Sequence, residues 1–297
     1  MKMLFILNSC LMITSLIAHG DNNTNSTMKG TERQLRSKDV FDLKQAVIFQ
    51  DDFQSGKLDK WNYSENANYR IPDVTPERIR IMDAPGLDNG RKAVRFAVQR
   101  GPNSFRSEIS LPHEAGFNER WYGERILIPR EWVLDPGRAN DIVMQWHAIP
   151  GNWRATFPNL AISVGHTNWF IRQSFGSAQD KPTRTTLKVD APVEPGKWVS
   201  WVIHAKWSPG TEGLLQIWKD GKLVMDRQGP NVYGTIGIEY TPYLKTGIYH
   251  PEWHLEKEGS KEAFDKEKPV ATNKVIYATE IKVGNERATF DDVSPKP

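Results

Sequence analysis

Cysteine is almost absent from this chain of 297 residues, since Cys10 is the only one. It lies in an N-terminal segment with the pattern of a secretion signal: Lys2, then a largely apolar stretch, then Ala18-His19-Gly20 at the cleavage position. Removal of residues 1–20 leaves a mature protein without cysteine, which excludes disulfides and thiolate chemistry. We therefore predict a signal peptide over residues 1–20 and a secreted or periplasmic protein.

Long hydrophobic runs are also missing. The apolar part of the N-terminal segment is too short and too interrupted to span a membrane, so we expect no membrane span. Leu7-Asn8-Ser9-Cys10 faintly resembles a lipoprotein box, which makes lipid anchoring at Cys10 an alternative. The apolar run before that box is shorter than such an anchor requires, so we prefer the cleaved signal.

A strong charge of one sign is the third thing that the sequence lacks. The formal net charge is +3 with a pI of about 8.8, and no long run of Lys and Arg occurs. This balance is too mild to indicate nucleic acid as a partner, although it is compatible with an acidic substrate. We expect no nucleic-acid partner and a monomer.

Helical periodicity is scarce, whereas short alternating segments separated by turn signals recur along the chain. With 22 Gly, 19 Pro and 11 Trp, the composition favours a β fold with many turns. We predict an all-β, concanavalin-like β-jelly-roll sandwich of two antiparallel sheets as a single domain over residues 46–297. A disordered polar spacer over residues 21–45 precedes it, and residues 256–268 form a charged insertion. The predicted strands cover residues 47–53, 79–82, 93–98, 105–110, 121–128, 141–148, 160–164, 169–175, 198–207, 214–218, 222–225 and 274–283.

The segment 243–249 carries the clearest functional pattern. Alternation puts Tyr243, Lys245, Gly247 and Tyr249 on one face of a strand, with apolar residues and a threonine on the other. Two phenols and an ammonium around a glycine suit an elongated anionic ligand, because a ligand can approach the backbone at glycine. The alternative is a half-exposed strand such as any sandwich contains.

Two further strands have a polar face. Arg106 and Glu108 share one face of the first, and Gln145 and His147 share one face of the second, with Trp146 behind. We expect these strands and the segment 243–249 to lie side by side in one sheet and to form the floor of a groove. Taken singly, His147 has a structural alternative as a hydrogen-bonded histidine, and Arg106 with Glu108 has the alternative of a solvated strand face.

The three strands together resemble a known family. Arg-Ser-Glu at 106–108, Gln-x-His at 145–147 and Tyr-x-Lys-x-Gly-x-Tyr at 243–249 resemble, in this order, the motif strands of jelly-roll polysaccharide lyases. That group includes alginate lyases of this fold, glucuronan lyase and the heparin lyase I family. The surrounding sequence, over residues 47–293, is most similar to the heparin lyase I and glucuronan lyase group.

This resemblance implies a secreted polysaccharide lyase that cleaves a uronic-acid polymer by β-elimination. Such an enzyme removes the proton at C5 and expels the O4 substituent, so it must stabilise the enediolate that forms. By resemblance, His147 is the base, Tyr249 is the acid, and Gln145 with Arg106 neutralises the carboxylate. In some lyases of this type one tyrosine serves as both base and acid, and that alternative stays open here.

Other side chains are assigned to substrate binding. Lys245 is expected to bind a carboxylate or sulfate and to lower the pKa of Tyr249. Glu108 is expected to hold Arg106 in place. A predicted loop at residues 152–154 either binds a second sugar or is an ordinary surface loop. The substrate-binding candidates are Lys245, Glu108, Tyr243, Trp153 and Arg154, whereas we expect structural or surface roles for His166, His204 and His250.

No cofactor is required by the sequence. We expect no metal site, and an acidic loop of calcium-binding spacing is absent. Calcium is implied only by resemblance, because some heparin lyases use it, and its ligands cannot be matched here.

Two other functions compete with the lyase. A laminarinase-type glycoside hydrolase would carry a Glu-x-Asp-x-x-Glu strand, which is missing. A non-catalytic carbohydrate-binding module or lectin on the same fold is the alternative. The polymer also stays open between glucuronan, heparin or heparan sulfate, and alginate; the few Lys and Arg in the motif strands favour an unsulfated polyuronate.

Overall fold

The chain folds into two antiparallel β-sheets packed face to face, as described here from a computed structural model. The structure describes residues 32–33, 35–64, 77–88, 90–100, 104–133, 140–147, 157–165, 167–176, 182–233, 240–253 and 272–296. The predicted all-β jelly-roll sandwich is confirmed.

One sheet has six strands, and all of its neighbouring pairs are antiparallel. Its edges are formed by the strands that we number β12 and β6. From one edge to the other, the strands are Thr183–Pro192 (β12), Asn168–Phe175 (β11), Leu160–Gly165 (β10), Asp141–His147 (β9), Tyr243–Tyr249 (β17) and Arg106–Ser110 (β6).

The larger sheet has eight strands, and Val47–Asp51 (β2) pairs with Asn273–Gly284 (β18) beside the main path. Its path runs through Lys222–Gln228 (β15), Leu214–Lys219 (β14), Trp198–Lys206 (β13), Glu119–Leu127 (β8), Asn273–Gly284 (β18), Lys92–Gln99 (β5) and Ile79–Asp83 (β4). The remaining elements are short: Glu32–Arg33 (β1) with Tyr63–Ser64 (β3), Glu114–Ala115 (β7) with Tyr240–Thr241 (β16), the helices Ser37–Val40 (α1) and Phe290–Val293 (α2), and the 3₁₀ turn Pro251–Trp253.

The core lies between the two sheets because the strands alternate between apolar and polar side chains. On β17, for example, Leu244 and Ile248 face the core with 1% and 0% of their surface exposed. Tryptophan contributes much of the buried volume, so these rings are structural and do not stack on sugar. The fully buried tryptophans are Trp61, Trp146, Trp169, Trp201, Trp207 and Trp253.

Asp220 and Gly221 form the hairpin turn between β14 and β15. Both residues have positive φ angles, 49° and 78°, as a two-residue turn of this kind requires. Two other features differ from the sequence analysis. The mostly exposed strand β12 was missed, since its alternation of buried and exposed residues is weak. Residues 35–45, assigned to a polar spacer, contain α1 and place Phe41 in the core. The charged insertion 256–268 lies outside the described residues.

Candidate active site

The three polar strands are neighbours in the six-stranded sheet, in the order β9, β17, β6. The prediction that they lie side by side is therefore confirmed. Their register places Lys245 opposite Gln145 on one side, and Tyr249 opposite Arg106 on the other. Directly opposed residues of antiparallel strands point to the same face, so these side chains share one face of the sheet.

Gly247 lies at the centre of this face, opposite Glu108. Its φ of +134° is one that L side chains rarely adopt, and a Cβ added there would lie 2.1 Å from the carbonyl oxygen of Ser107. The pairing of β17 with β9 also shifts between Thr246 and Tyr249. Glycine is therefore required where β17 bends and passes close to β6.

A buried polar group forms around Glu108. Gln145 donates a hydrogen bond from Nε2 to Oε1 of Glu108, and Nη1 of Arg106 lies 3.9 Å from Oε2. The exposed fractions of Glu108, Gln145 and Arg106 are only 1%, 5% and 8%. The carboxylate thus orients an amide and a guanidinium at once, and the second N–H of the Gln145 amide is left to donate elsewhere. Oε2 of Glu108 accepts no hydrogen bond from any described residue.

Tyr249 is half-buried at the end of β17, with its ring at 5.7 Å in an edge-on contact with Phe105. Burial raises the pKa of the Tyr249 phenol, and the negative charge of Glu108 raises it further, while Arg106 lowers it in part. The phenol is therefore protonated at neutral pH, as a proton donor must be.

The expectation that Lys245 lowers the pKa of Tyr249 is wrong. Lys245 lies four residues earlier on β17, where its Nζ is 5.3 Å from the centre of the Tyr243 ring. Four residues of strand span roughly 13 Å, too far for a strong effect on the phenol. Lys245 instead lies between Tyr249 and the other end of the groove, where its ammonium group is near the Tyr243 ring.

That other end carries two histidines. His147 is paired with Tyr243, and their ring centres are 6.4 Å apart. His113 contacts the opposite side, with its ring centre 4.2 Å from that of Tyr243. Partial loss of water around the ring, together with repulsion from Lys245, lowers the pKa of His113 to about 4, so the imidazole is neutral at physiological pH.

Sequence reasoning did not single out His113. His113 lies three residues after the end of β6, and the sequence shows this spacing. The sequence does not show the path that the chain takes after Pro112. His147 and Tyr249 start from opposite ends of this face, because Tyr249 is level with Ile142 on β9. Ile142 and His147 are five positions apart, roughly 16 Å along the backbone, so it is their side chains that must reach a sugar lying between them. Gln145, Lys245 and Gly247 lie between these two ends.

Two of the other candidates, His204 and His250, have structural roles. His204 is structural: it stacks on Trp121 at 3.9 Å and hydrogen-bonds Glu119 at 2.8 Å. His250 is also structural, since it is completely buried. Its Nδ1 lies 2.5 Å from Asp141, which also accepts a bond from Lys274. Trp153, Arg154 and His166 lie outside the described residues.

Below the groove, on the core side of β17, lies Glu124 of β8. It is 1% exposed and accepts a hydrogen bond from the Thr246 hydroxyl. Burial raises the pKa of Glu124 to about 8, while the bond from Thr246 lowers it in part. A protonated carboxyl group thus connects the strand that carries the site to the opposite sheet.

Within the described ranges, no group of three or more His, Cys, Asp or Glu side chains is arranged to hold a metal ion. Over the same residues, no helix is long and apolar enough to cross a membrane.

Solved structures similar to this chain include several lyases. The endo-β-1,4-glucuronan lyase from the fungus Trichoderma reesei is 21% identical, with a TM-score of 0.63 over 84% of this chain and 99% of that one. The alginate lyase PA1167 from Pseudomonas aeruginosa is 14% identical, with a TM-score of 0.47 over 72% and 88% of the two chains. The first likeness establishes a shared fold. Among curated proteins, no sequence matches this chain.

The sandwich and its polar face define an enzyme of the jelly-roll polysaccharide lyase class. The sequence matches the polysaccharide lyase family over residues 53–282, more than half of its length, and the chain belongs to that family. The predicted class of enzyme is therefore confirmed, and the non-catalytic module is set aside.

Proposed function

We propose that this enzyme is secreted and cleaves a uronic-acid polysaccharide by β-elimination, leaving 4,5-unsaturated uronate ends. The observation that carries this proposal is the buried group in which Glu108 holds both Gln145 and Arg106 beside Tyr249. An amide and a guanidinium held by one carboxylate suit the binding of a uronate carboxylate, whose charge must be neutralised before C5 can lose its proton.

The proposed reaction begins with a base at C5. His147 takes the C5 proton, and the electron pair passes into the carboxylate to give an enediolate that Gln145 and Arg106 stabilise. The electrons then form the C4–C5 double bond as the C4–O4 bond breaks. Tyr249 gives its phenolic proton to O4, a role that suits a phenol whose pKa is raised. The sugar would lie over Lys245 and Gly247, between the two ends of the groove.

We infer that the polymer is an unsulfated polyuronate such as glucuronan, ahead of a heparin or heparan type. Only two strongly basic side chains, Arg106 and Lys245, occur on the three motif strands. Heavily sulfated chains call for more cations than this. The likeness to a protein described as a glucuronan lyase supports the same choice.

The test follows the ultraviolet absorbance of unsaturated uronate as the mature protein is incubated separately with glucuronan, heparan sulfate, heparin, hyaluronan and alginate. We expect a rise with glucuronan and a kcat lowered by about a thousandfold in Tyr249→Phe and in His147→Ala. Tyr277→Phe is the matched control, since Tyr277 is a half-buried phenol on the outer face of the larger sheet. No rise with any polymer contradicts β-elimination, and full activity in Tyr249→Phe removes the phenol as the acid.

A further inference from the structure

Arg172 of β11 lies in the same row of side chains as the centre of the site. Arg172 is opposite Ala161 of β10, Ala161 is opposite Gln145 of β9, and Gln145 is opposite Lys245 of β17. Opposed residues share a face, so these four side chains form one line across four strands of the groove. Ile171, the preceding residue on β11, is buried in the core. Arg172 therefore points to the opposite face of the sheet, which is the groove.

The surroundings of Arg172 are unusual for an arginine. Its side chain is half-buried, and loss of water lowers its pKa. Within the part of the chain that the structure describes, no carboxylate and no carbonyl forms an ion pair or hydrogen bond with it. A guanidinium that loses water without gaining a partner costs free energy, and an anionic ligand would recover that cost.

We propose that Arg172 binds the carboxylate of a second uronate, more than one sugar away from the residue that reacts. Arg172 is two strands from Gln145, or roughly 10 Å, which is wider than one pyranose ring. The residue between them in this row is Ala161, whose side chain is a single methyl group. The planar fork of a guanidinium also matches a carboxylate through two parallel hydrogen bonds.

This inference rests on the proposed function for the identity of the ligand, and it adds the direction in which the bound polymer runs. A polymer that contacts both Gln145 and Arg172 crosses the strands and runs from β17 toward β12. The enzyme would then gain affinity from chain length while the reacting sugar is held by other residues. Arg172 therefore determines the strength of polymer binding, and the chemical step does not involve it.

The experiment compares Arg172→Gln, Arg172→Lys and the wild type on glucuronan. For Arg172→Gln we expect a KM at least about tenfold higher with a kcat changed by less than about twofold, because a charged hydrogen bond is lost from binding alone. Arg172→Lys should recover part of the loss, since it keeps the charge but not the fork. Arg80→Gln is the matched control, because Arg80 is an exposed arginine of β4 on the other sheet.

A binding measurement separates this inference from the proposed function. In a Tyr249→Phe background, the Kd for glucuronan should rise about tenfold with Arg172→Gln, and carboxyl-reduced glucuronan should show no such difference. If the wild type cleaves glucuronan and Arg172→Gln has the same KM and Kd, the inference is overturned while β-elimination stands. If no polymer is cleaved but Arg172→Gln still weakens glucuronan binding, the inference stands without the reaction. Absence of any glucuronan binding overturns both.

Discussion

Two glutamates on opposite faces of β17 are equally buried and chemically different. Glu108, in the groove, and Glu124, in the core, are each 1% exposed. Glu108 has the Arg106 cation at 3.9 Å and the amide of Gln145 as partners. Glu124 accepts a bond from Thr246 and forms no ion pair with any described side chain, and its pKa is raised to about 8.

The comparison shows that neighbours decide what a buried carboxyl group can do, since burial is the same in both. A carboxylate beside a cation can orient other groups, as Glu108 does for Gln145 and Arg106. A charge without a cation is lost by protonation, and the neutral group then serves as a structural link. The two positions therefore form a natural matched pair for mutation.

The largest expected effect concerns Gly247, which lies opposite Glu108 on the neighbouring strand. Gly247→Ala places a Cβ 2.1 Å from the oxygen of Ser107 and forces a side chain into a φ of +134°. We expect the free energy of unfolding to fall by about 4 kcal/mol and the groove to be disrupted. Chemical denaturation followed by tryptophan fluorescence measures this change.

Gly221→Ala is the matched control for that substitution. Gly221 also has a positive φ, +78°, but a Cβ there meets nothing within 4 Å. Its replacement should cost only about 1 kcal/mol, from backbone strain alone. Equal costs at Gly221 and Gly247 would show that the close approach to β6 is not what requires glycine.

The next largest effect tests Glu108, the glutamate in the groove. Glu108→Gln keeps the shape of the side chain but removes the charge beside Arg106 and weakens the hold on Gln145. We expect kcat to fall about a hundredfold, because the two donors proposed to stabilise the enediolate lose their orientation. Steady-state assays of unsaturated uronate release measure it. The same substitution at Glu124 should leave kcat nearly unchanged at pH 6, and an equal loss there would contradict the comparison.

The smallest effect tests Glu124, the glutamate in the core, through the pH dependence of the free energy of unfolding. Because the pKa of Glu124 is about 8 in the folded protein against an ordinary 4.5, only the unfolded chain loses this proton between those values. The contribution of Glu124 to stability therefore falls as pH rises from about 4.5 to 8. Glu124→Gln removes this dependence but adds a buried N–H that needs an acceptor.

We therefore expect Glu124→Gln to be less stable than the wild type at pH 4 and more stable, by about 2 kcal/mol, at pH 8.5. Denaturation curves across this range measure the difference between the two proteins. A difference that does not vary with pH would mean that Glu124 is ionised in the folded protein.

The sequence predicted the fold class and the groove because both depend on local alternation. Alternation by two assigns Arg106 and Glu108 to one face without any knowledge of their neighbours, and the shared polar character of the three strands suggested that they lie side by side. What alternation cannot give is register. The row that joins Arg172 to Gln145 depends on which residues of β10 lie opposite β9 and β11, and those pairings join distant parts of the chain.

The misses have the same physical origin. The pKa of Tyr249 was predicted from its sequence neighbour Lys245, whereas the charges that act on it, Glu108 and Arg106, come from another strand. His113 reaches the groove only because the chain turns after β6. Glu124 on β8 had no visible partner, since Thr246 is brought to it by the packing of two sheets.

The strand β12 has a consequence for handling the protein. It forms an edge of the six-stranded sheet, ten residues long, and most of its side chains are exposed. Open edges invite a second molecule to add a strand, yet Arg184 and Lys188 outnumber Asp190 and give this one an excess of positive charge, so two copies repel each other where they would join. That repulsion weakens as ions screen it. Concentrated stocks should therefore stay clear in dilute buffer and become turbid first when salt is raised.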